Sequence, residues 1–271
     1  MSNIRKGNVY STTHGEIIVL EVINGNKIKV RFIEYPYETT VNHYNLKAGV
    51  LKNPMRPSVC GIGYIGVGPY RSRINYKPTR SYSTWRNMLS RVYKPFNDAL
   101  ARNYSGTSVH PHWHNFQNFA EWYHQQIDHF GLVEHVWDLD KDLLVPGNRI
   151  YGPFTSCMIP KQVNVTFVDH AFARGNLPLG VMRNGKGFTP CIGSFGKNRK
   201  IGTYRTITEA QLIYWEHKFE AIRDITIQYW KYIPEPLAFR FLTFGWKDAV
   251  AYYGDDACIW SSDNQTTNKE P

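Results

Sequence analysis

The hydrophobic period of this chain changes several times along its length, and that restricts it to a modular α+β fold. Over Lys27-Ile28-Lys29-Val30-Arg31-Phe32-Ile33, apolar and charged residues alternate strictly, as in a strand with one buried face. Ile28, Val30 and Phe32 share one side; Lys27, Lys29 and Arg31 share the other. Residues 15–23 are a second apolar strand, and Asn24-Gly25-Asn26 is hairpin chemistry between them. Residues 1–56 are thus expected to form a small β module, a strongly bent and barrel-like unit too small for a catalytic domain. The period then becomes helical. Tyr82, Trp85, Met88, Leu89 and Val92 stripe residues 80–97, and Phe116, Phe119, Trp122 and Tyr123 stripe residues 116–130.

Residues 57–79 are rich in Gly and Pro and read as a connector. Their Gly61-Ile62-Gly63-Tyr64-Ile65-Gly66 is a glycine-bearing turn or interdomain strand, not a GIY-YIG nuclease motif. That motif needs two separated strand halves and downstream acid, and no acid follows before Asp98. Residues 137–170 give strand (137–143), turn (Val145-Pro146-Gly147-Asn148), strand (156–160) and a short helix through Gln162 and Asn164, a ββα outline. Residues 177–232 give two or three short strands and a helix opened by the capping box Thr206-Ile207-Thr208-Glu209, which Pro234 and Pro236 end. Pro190 falls in the second strand and implies an edge or bulge there. The expected modules are 1–56, a ββα core with flanking helices at 57–172, a sheet-plus-helix module at 173–233, and a polar extension at 234–271.

Charge narrows the partners. The 271 residues carry a formal net charge of +10. No acid lies between Glu38 and Asp98, a stretch with ten bases, and none between Asp169 and Glu209, a stretch with seven. Cations without competing carboxylates suit a polyanion, because each neutralised phosphate releases counterions. Tyr64, Tyr70, Tyr76, Tyr82 and Trp85 interleave the first run, where they either stack on bases or pack a core. The four cysteines form no CxxC pair, which argues against a disulfide framework or a cysteine zinc site. No apolar run is long enough to cross a membrane. The N-terminus lacks the apolar stretch of a secretory signal.

Two stretches resemble known families. Tyr82-x-x-Trp85-x-x-Met88-Leu89-x-Arg91-x-Tyr93, then Tyr104-Ser105-Gly106, Trp113-x-x-Phe116-x-x-Phe119, and Leu139-Asp140-Lys141-Asp142 through Asn164 resemble a phage-encoded family of HNH-type (His-Me finger) endonucleases. The segment Leu179-Gly180-Val181 to Ile201-Gly202-Thr203-Tyr204-Arg205-Thr206-x-x-Glu209-Ala210-x-x-x-Tyr214 resembles the apetala-two DNA-binding domain, which often accompanies homing endonucleases. The first resemblance implies a ββα core in which Asp140 is a metal ligand, Asn148 orients the base from the loop, and Asn164 ligates from the finger helix. Lys141 stands where that family has its water-activating histidine. The second implies a three-stranded sheet laid in the major groove and braced by a helix.

The candidate residues follow. Asp138, Asp140 and Asp142 alternate, and three carboxylates on one face are either a Mg²⁺ or Mn²⁺ site with Asn164 or an acidic strand paired to nearby arginines. His110, His112 and His114 also alternate. With His124, His129 and His135 they offer an alternative metal site, with Zn²⁺ as the ion, or a polar surface beside aromatic residues. The catalytic candidates are Asp140, Lys141 and Asn148. The DNA-contact candidates are Arg183, Lys186, Lys197, Arg199 and Lys200 on the sheet, with Arg86 and Arg91 on the first helix. The expected function is a phage-type, metal-dependent DNA endonuclease acting on double-stranded DNA in the bacterial host cytoplasm. Two alternatives stand beside it: a DNA-binding protein with a degenerate core, and a host-takeover factor that binds a host protein through residues 1–56.

Overall fold

The computed structural model describes residues 4–130, 137–168, 176–194 and 197–258. The chain divides into two compact units, Met1–Gln125 and Gln126–Pro271, so the division falls inside the stretch 57–172.

In the first unit, β1 (Val9–Thr12), β2 (Gly15–Val22), β3 (Lys27–Phe32) and β4 (Glu38–Asn42) pair as an antiparallel meander in that order. The alternation of β3 is realised: Ile28, Val30 and Phe32 are buried, together with Ile17 and Val19 of β2. The Asn24 side chain accepts from the N–H groups of Asn26 and Lys27 and so shapes the hairpin turn. On the outer face Lys29 pairs with Glu38 at 2.9 Å. The barrel-like closure expected for residues 1–56 is corrected to an open sheet. β1 and β4 remain edges among the described residues, and Leu46 of α1 (His43–Ala48) and Leu51 cover the apolar face in place of further strands.

The rest of this unit is aromatic and helical. β5 (Arg73–Ile74) and β6 (Lys77–Pro78) form a short hairpin. It leads into α2 (Arg80–Tyr93), whose N-cap Thr79 accepts from the Tyr82 N–H. This helix ends before residue 97 because Lys94 precedes Pro95, which disfavours helical backbone. After α3 (Asp98–Asn103) and β7 (Ser108–Val109), a 3₁₀ turn over Pro111–His114 runs into α4 (Phe116–Ile127). Trp85, Met88, Leu89, Trp113, Phe116, Phe119, Trp122 and Tyr123 are buried, and the Trp85 Nε1–H donates to the Trp113 carbonyl at 2.7 Å. Residues 61–66 lie against this core. Val59 bridges to Gly63, and Tyr64 bridges to Asn115. A Cβ on Gly63 would come within 2.4 Å of Leu89 Cδ1. Close approach of the backbone to α2 therefore accounts for that glycine.

In the second unit, β8 (Trp137–Asp140) and β10 (Cys157–Pro160) are antiparallel, with β9 (Ile150–Tyr151) between them in sequence; α5 (Lys161–Phe167) follows directly. The ββα outline is present. β11 (Val181–Asn184), β12 (Gly187–Ser194) and β13 (Lys197–Lys200) form a three-stranded antiparallel sheet with β12 in the centre. α6 (Ile207–Tyr229) opens with the Thr206/Glu209 capping box. Pro190 is in the central strand and not at an edge. Its carbonyl accepts from Ile201, so its missing N–H falls on the β13 side, where the chain breaks at Gly202 (φ 64°) before Tyr204 pairs again with Phe188.

One core serves this whole unit. Leu143, Cys157, Ile159, Val163 and Phe167 from the ββα elements join Leu179, Ile192, Tyr214, Trp215 and Ile222 from the sheet and α6. The expected boundary at residue 172 does not separate two cores. Nor is the segment after Pro234 a polar extension as far as Cys258. α7 (Glu235–Leu242) and α8 (Trp246–Tyr253) bury Leu237, Ala238, Phe241 and Ala249 in the same core.

Candidate functional site

The carboxylates sit where β8 ends and the chain turns. Asp140 is the last strand residue and opposes Cys157, so alternation does not reach Asp142, and the expectation that all three acids share one strand face is corrected. Asp138 Oδ2 accepts from Asn164 Nδ2 at 3.2 Å, which brings two of the expected ligands together. Asp140 Oδ1 instead accepts from the backbone N–H groups of Asp142 and Leu143, at 2.8 and 2.7 Å. That is an Asx-type turn made by the carboxylate itself. Part of Asp140 remains open to solvent, but its carboxyl is turned inward. Burial, then the neighbouring Asp142, raise its pKa to about 7, against the lowering effect of the two backbone N–H groups. Cys157 across the pair is buried, which pushes its thiol well above the usual range, and the two carboxylates push it further.

Lys141 Nζ pairs with Asp142 Oδ2 at 2.7 Å. Asn148, in the turn after Gly147, donates from Nδ2 to the carbonyls of Lys141 (2.6 Å) and Ile150 (2.8 Å) and accepts from the Ile150 N–H. This one amide ties the loop to the residue following Asp140. Two further residues brace the turn from below and carry no local sequence signal, because they arrive from about a hundred residues away. Arg240 donates to the Leu144 carbonyl at 3.1 Å and bonds the Tyr252 hydroxyl, which itself donates to Leu143.

Each of these carboxylates has at least one oxygen engaged by a protein group. Asp140 Oδ1 is occupied by two N–H groups, Asp142 by Lys141, and Asp138 by Asn164. Among the described residues no group of three or more His, Cys, Asp or Glu is placed to hold a metal ion. The histidine alternative fares likewise. Residues 111–114 are a 3₁₀ turn and not a strand, so the shared face expected for His110, His112 and His114 is corrected. His110 Nδ1 accepts from the His112 N–H, His112 bonds Asn118, and His114 Nε2 lies 3.2 Å from the Val109 carbonyl. His124 stacks on Tyr70. His135 and the His129 side chain lie outside the described residues.

On the three-stranded sheet, register decides which bases face where. Ile192 is buried in the core beneath α6. Arg199 opposes Ile192, and its Nη2 lies 3.5 Å from Nδ1 of His217 on α6. Arg183 opposes Phe188 and its guanidinium covers that ring at 5.0 Å. Phe188 and Ile192 are four apart on β12, so both arginines emerge on the helix side of the sheet. Lys200 opposes Cys191 and emerges on the open side, beside Met182, Asn184, Thr189 and Thr203. Lys186 is exposed in the turn after Gly185. The Lys197 side chain lies outside the described residues. Arg86 is exposed on α2, and Arg91 is half-buried. Among the described residues no helix is long and apolar enough to cross a membrane. Comparison with protein-family models, curated proteins and solved structures finds no match to this chain.

Proposed function

We propose that this chain binds double-stranded DNA and that its ββα unit serves as a scaffold and not as a hydrolytic centre. The observation that carries the DNA reading is the sheet built from an acid-free stretch of sequence, with Glu220 as the carboxylate that reaches its helix side through His217. Arg183, Lys186, Arg199 and Lys200 are all exposed on or beside β11–β13, with no acid between residues 170 and 208. Two faces of one small sheet can then divide the work. Lys200, Asn184 and Thr203 meet the groove, with Thr189 buried beneath them and bonded to both Asn184 and Thr203, while Arg183, Arg199 and Lys186 reach phosphates around the rim. The scaffold reading rests on Asp140, whose carboxyl is bonded inward, and on Lys141, which the resemblance to His-Me finger enzymes puts in the position of the base and which is paired with Asp142.

Anisotropy titration of duplex DNA at several salt concentrations tests the binding. Log affinity should fall steeply with log salt, and a flat response, or no binding at low salt, refutes it. A second reading, Mg²⁺- or Mn²⁺-dependent nicking of DNA, is favoured by one contact. Asn148 bonds the Lys141 carbonyl, the role that the resemblance to His-Me finger enzymes gives its loop asparagine. Plasmid nicking by the wild type in Mg²⁺ or Mn²⁺ that disappears in Asp140→Ala would replace the scaffold reading.

A further inference from the structure

Of the eight aromatic residues in the first basic run, Tyr44 and Phe96 are exposed at 78% and 82%, Tyr93 accepts from the Val109 N–H through its hydroxyl, and four others are taken up by packing. Trp85 is buried, Tyr82 lies against Trp85 and Phe116, Tyr70 stacks on His124, and Tyr64 is half-buried in its bridge to Asn115. Tyr76 is the most exposed of the eight, at 95%. It forms the tip of the β5–β6 hairpin with Asn75, and both have left-handed backbone, at φ 64° and 48°. A two-residue turn with both central φ angles positive prefers Asn-Gly. Tyrosine in the glycine position is conformationally costly, and here no burial of the ring offsets that cost.

The mount is rigid. The Thr79 N–H donates to the Ser72 carbonyl and its hydroxyl to the Arg71 carbonyl, while the same hydroxyl caps α2. At the tip, Arg73 reaches the Tyr76 carbonyl at 3.4 Å. Arg71, Arg73, Lys77 and Arg80 surround the base of the hairpin, all exposed, in the stretch without acid between Glu38 and Asp98. A ring held out into solvent within a cationic collar matches a ligand that joins dense negative charge to flat apolar faces, and nucleic acid is that ligand. Ile74, 56% exposed on the same hairpin, adds an apolar shoulder of the kind that props open a base step.

We infer that the Arg73–Pro78 hairpin is an insertion element that sets the Tyr76 ring against the bases of duplex DNA while Arg71, Arg73, Lys77 and Arg80 engage phosphates. The inference rests on the reading that the chain binds duplex DNA. The test uses the full chain, a short duplex followed by anisotropy, and a relaxed plasmid whose unwinding is read after topoisomerase closure. Tyr76→Gly restores the turn's preferred residue, so its thermal melt should match or exceed that of the wild type. Its affinity should nonetheless fall about tenfold or more, the scale of losing one aromatic–base stack, with the slope of log affinity against log salt unchanged and plasmid unwinding lost. Tyr76→Phe should keep both, and Lys77→Ala should lower the salt slope by about one. If the wild type binds duplex and Tyr76→Gly binds and unwinds equally, the insertion role is refuted and the DNA reading survives; the exposed ring would then serve a protein partner. If the wild type fails to bind duplex at low salt, the underlying reading falls first.

Discussion

Replacing Asp140 by asparagine should stabilise this protein at alkaline pH and leave it almost unchanged at acid pH. The carboxyl titrates at about 7 in the folded chain, against 3.8 for an unperturbed aspartate, chiefly because burial disfavours its charge. Between those values the folded chain holds a proton that the unfolded chain has released. Stability therefore falls as pH rises through this window, and the full penalty is present above it. A rise from 3.8 to about 7 converts to a ceiling of about 4 kcal/mol. Relaxation and water penetration reduce such penalties, so about 1–3 kcal/mol is expected. Asparagine retains the Oδ1 acceptor for the Asp142 and Leu143 N–H groups, loses the charge, and puts in place of the second oxygen an NH2 that can donate to the neighbouring Asp142 carboxylate. Urea unfolding at about pH 4 and about pH 8.5, in the presence of chelator, gives the comparison. The wild type should lose stability relative to Asp140→Asn at the higher pH, and Asp140→Ala, which abandons the turn, should be less stable than Asp140→Asn throughout. Parallel pH curves for wild type and Asp140→Asn, or a wild type that gains on the variant as pH rises, would show that the carboxyl is not held neutral by its surroundings.

Three further outcomes bear on the fold. Gly63→Ala places a Cβ 2.4 Å from Leu89 Cδ1 and 2.8 Å from Trp85 Cζ2, and should cost about 1–3 kcal/mol in chemical denaturation; a neutral result would mean that residues 61–66 do not pack on α2. Phe241→Ala empties a fully buried ring site that touches Phe167 and should cost about 3–5 kcal/mol, as would not happen if the chain beyond Pro234 were a loose extension. Asn148→Ala removes the amide that spans Lys141 and Ile150. It should cost about 1–3 kcal/mol and speed amide hydrogen exchange between residues 141 and 150, and unchanged exchange would refute the clasp.

The elements were legible where one side chain period ran unbroken. β3 alternates over its whole length and α2 carries a full apolar stripe, so sequence and structure agree on both, and Thr206/Glu209 marks the start of α6 as a capping box should. What could not be read was which elements share a core. Phe241 and Ala238 look like ordinary members of a short Pro-flanked segment, and only the three-dimensional arrangement sets them against Phe167, Trp215 and Ile225. The open meander escaped for a related reason. Strand pattern specifies a buried face, but whether strands or a helix cover that face is decided by Leu46 and Leu51, outside the pattern.

At the site, residue types were easier to read than directions. The sequence marks Asp138, Asp140, Lys141, Asp142 and Asn148 as a polar cluster. It cannot show that Asp140 spends one oxygen on its own turn, because that depends on where β8 stops. Two residues of difference in strand length convert three aligned acids into a pair and an outlier. The same sensitivity governs the sheet. Arg199 and Lys200 are adjacent in a basic run and chemically alike, but period two sends them to opposite faces, one to His217 on the helix and the other to the open surface. A count of cations therefore supports a polyanionic partner without choosing the reading surface. The choice comes from Ile192, the buried residue that fixes the parity of β12 and, through the register, of every base paired to it. On that parity Lys200→Glu, on the open side, should disrupt duplex binding more than Arg199→Glu, whose new carboxylate would face His217. Equal losses from the two would place the contact along the rim and not on the open face of the sheet.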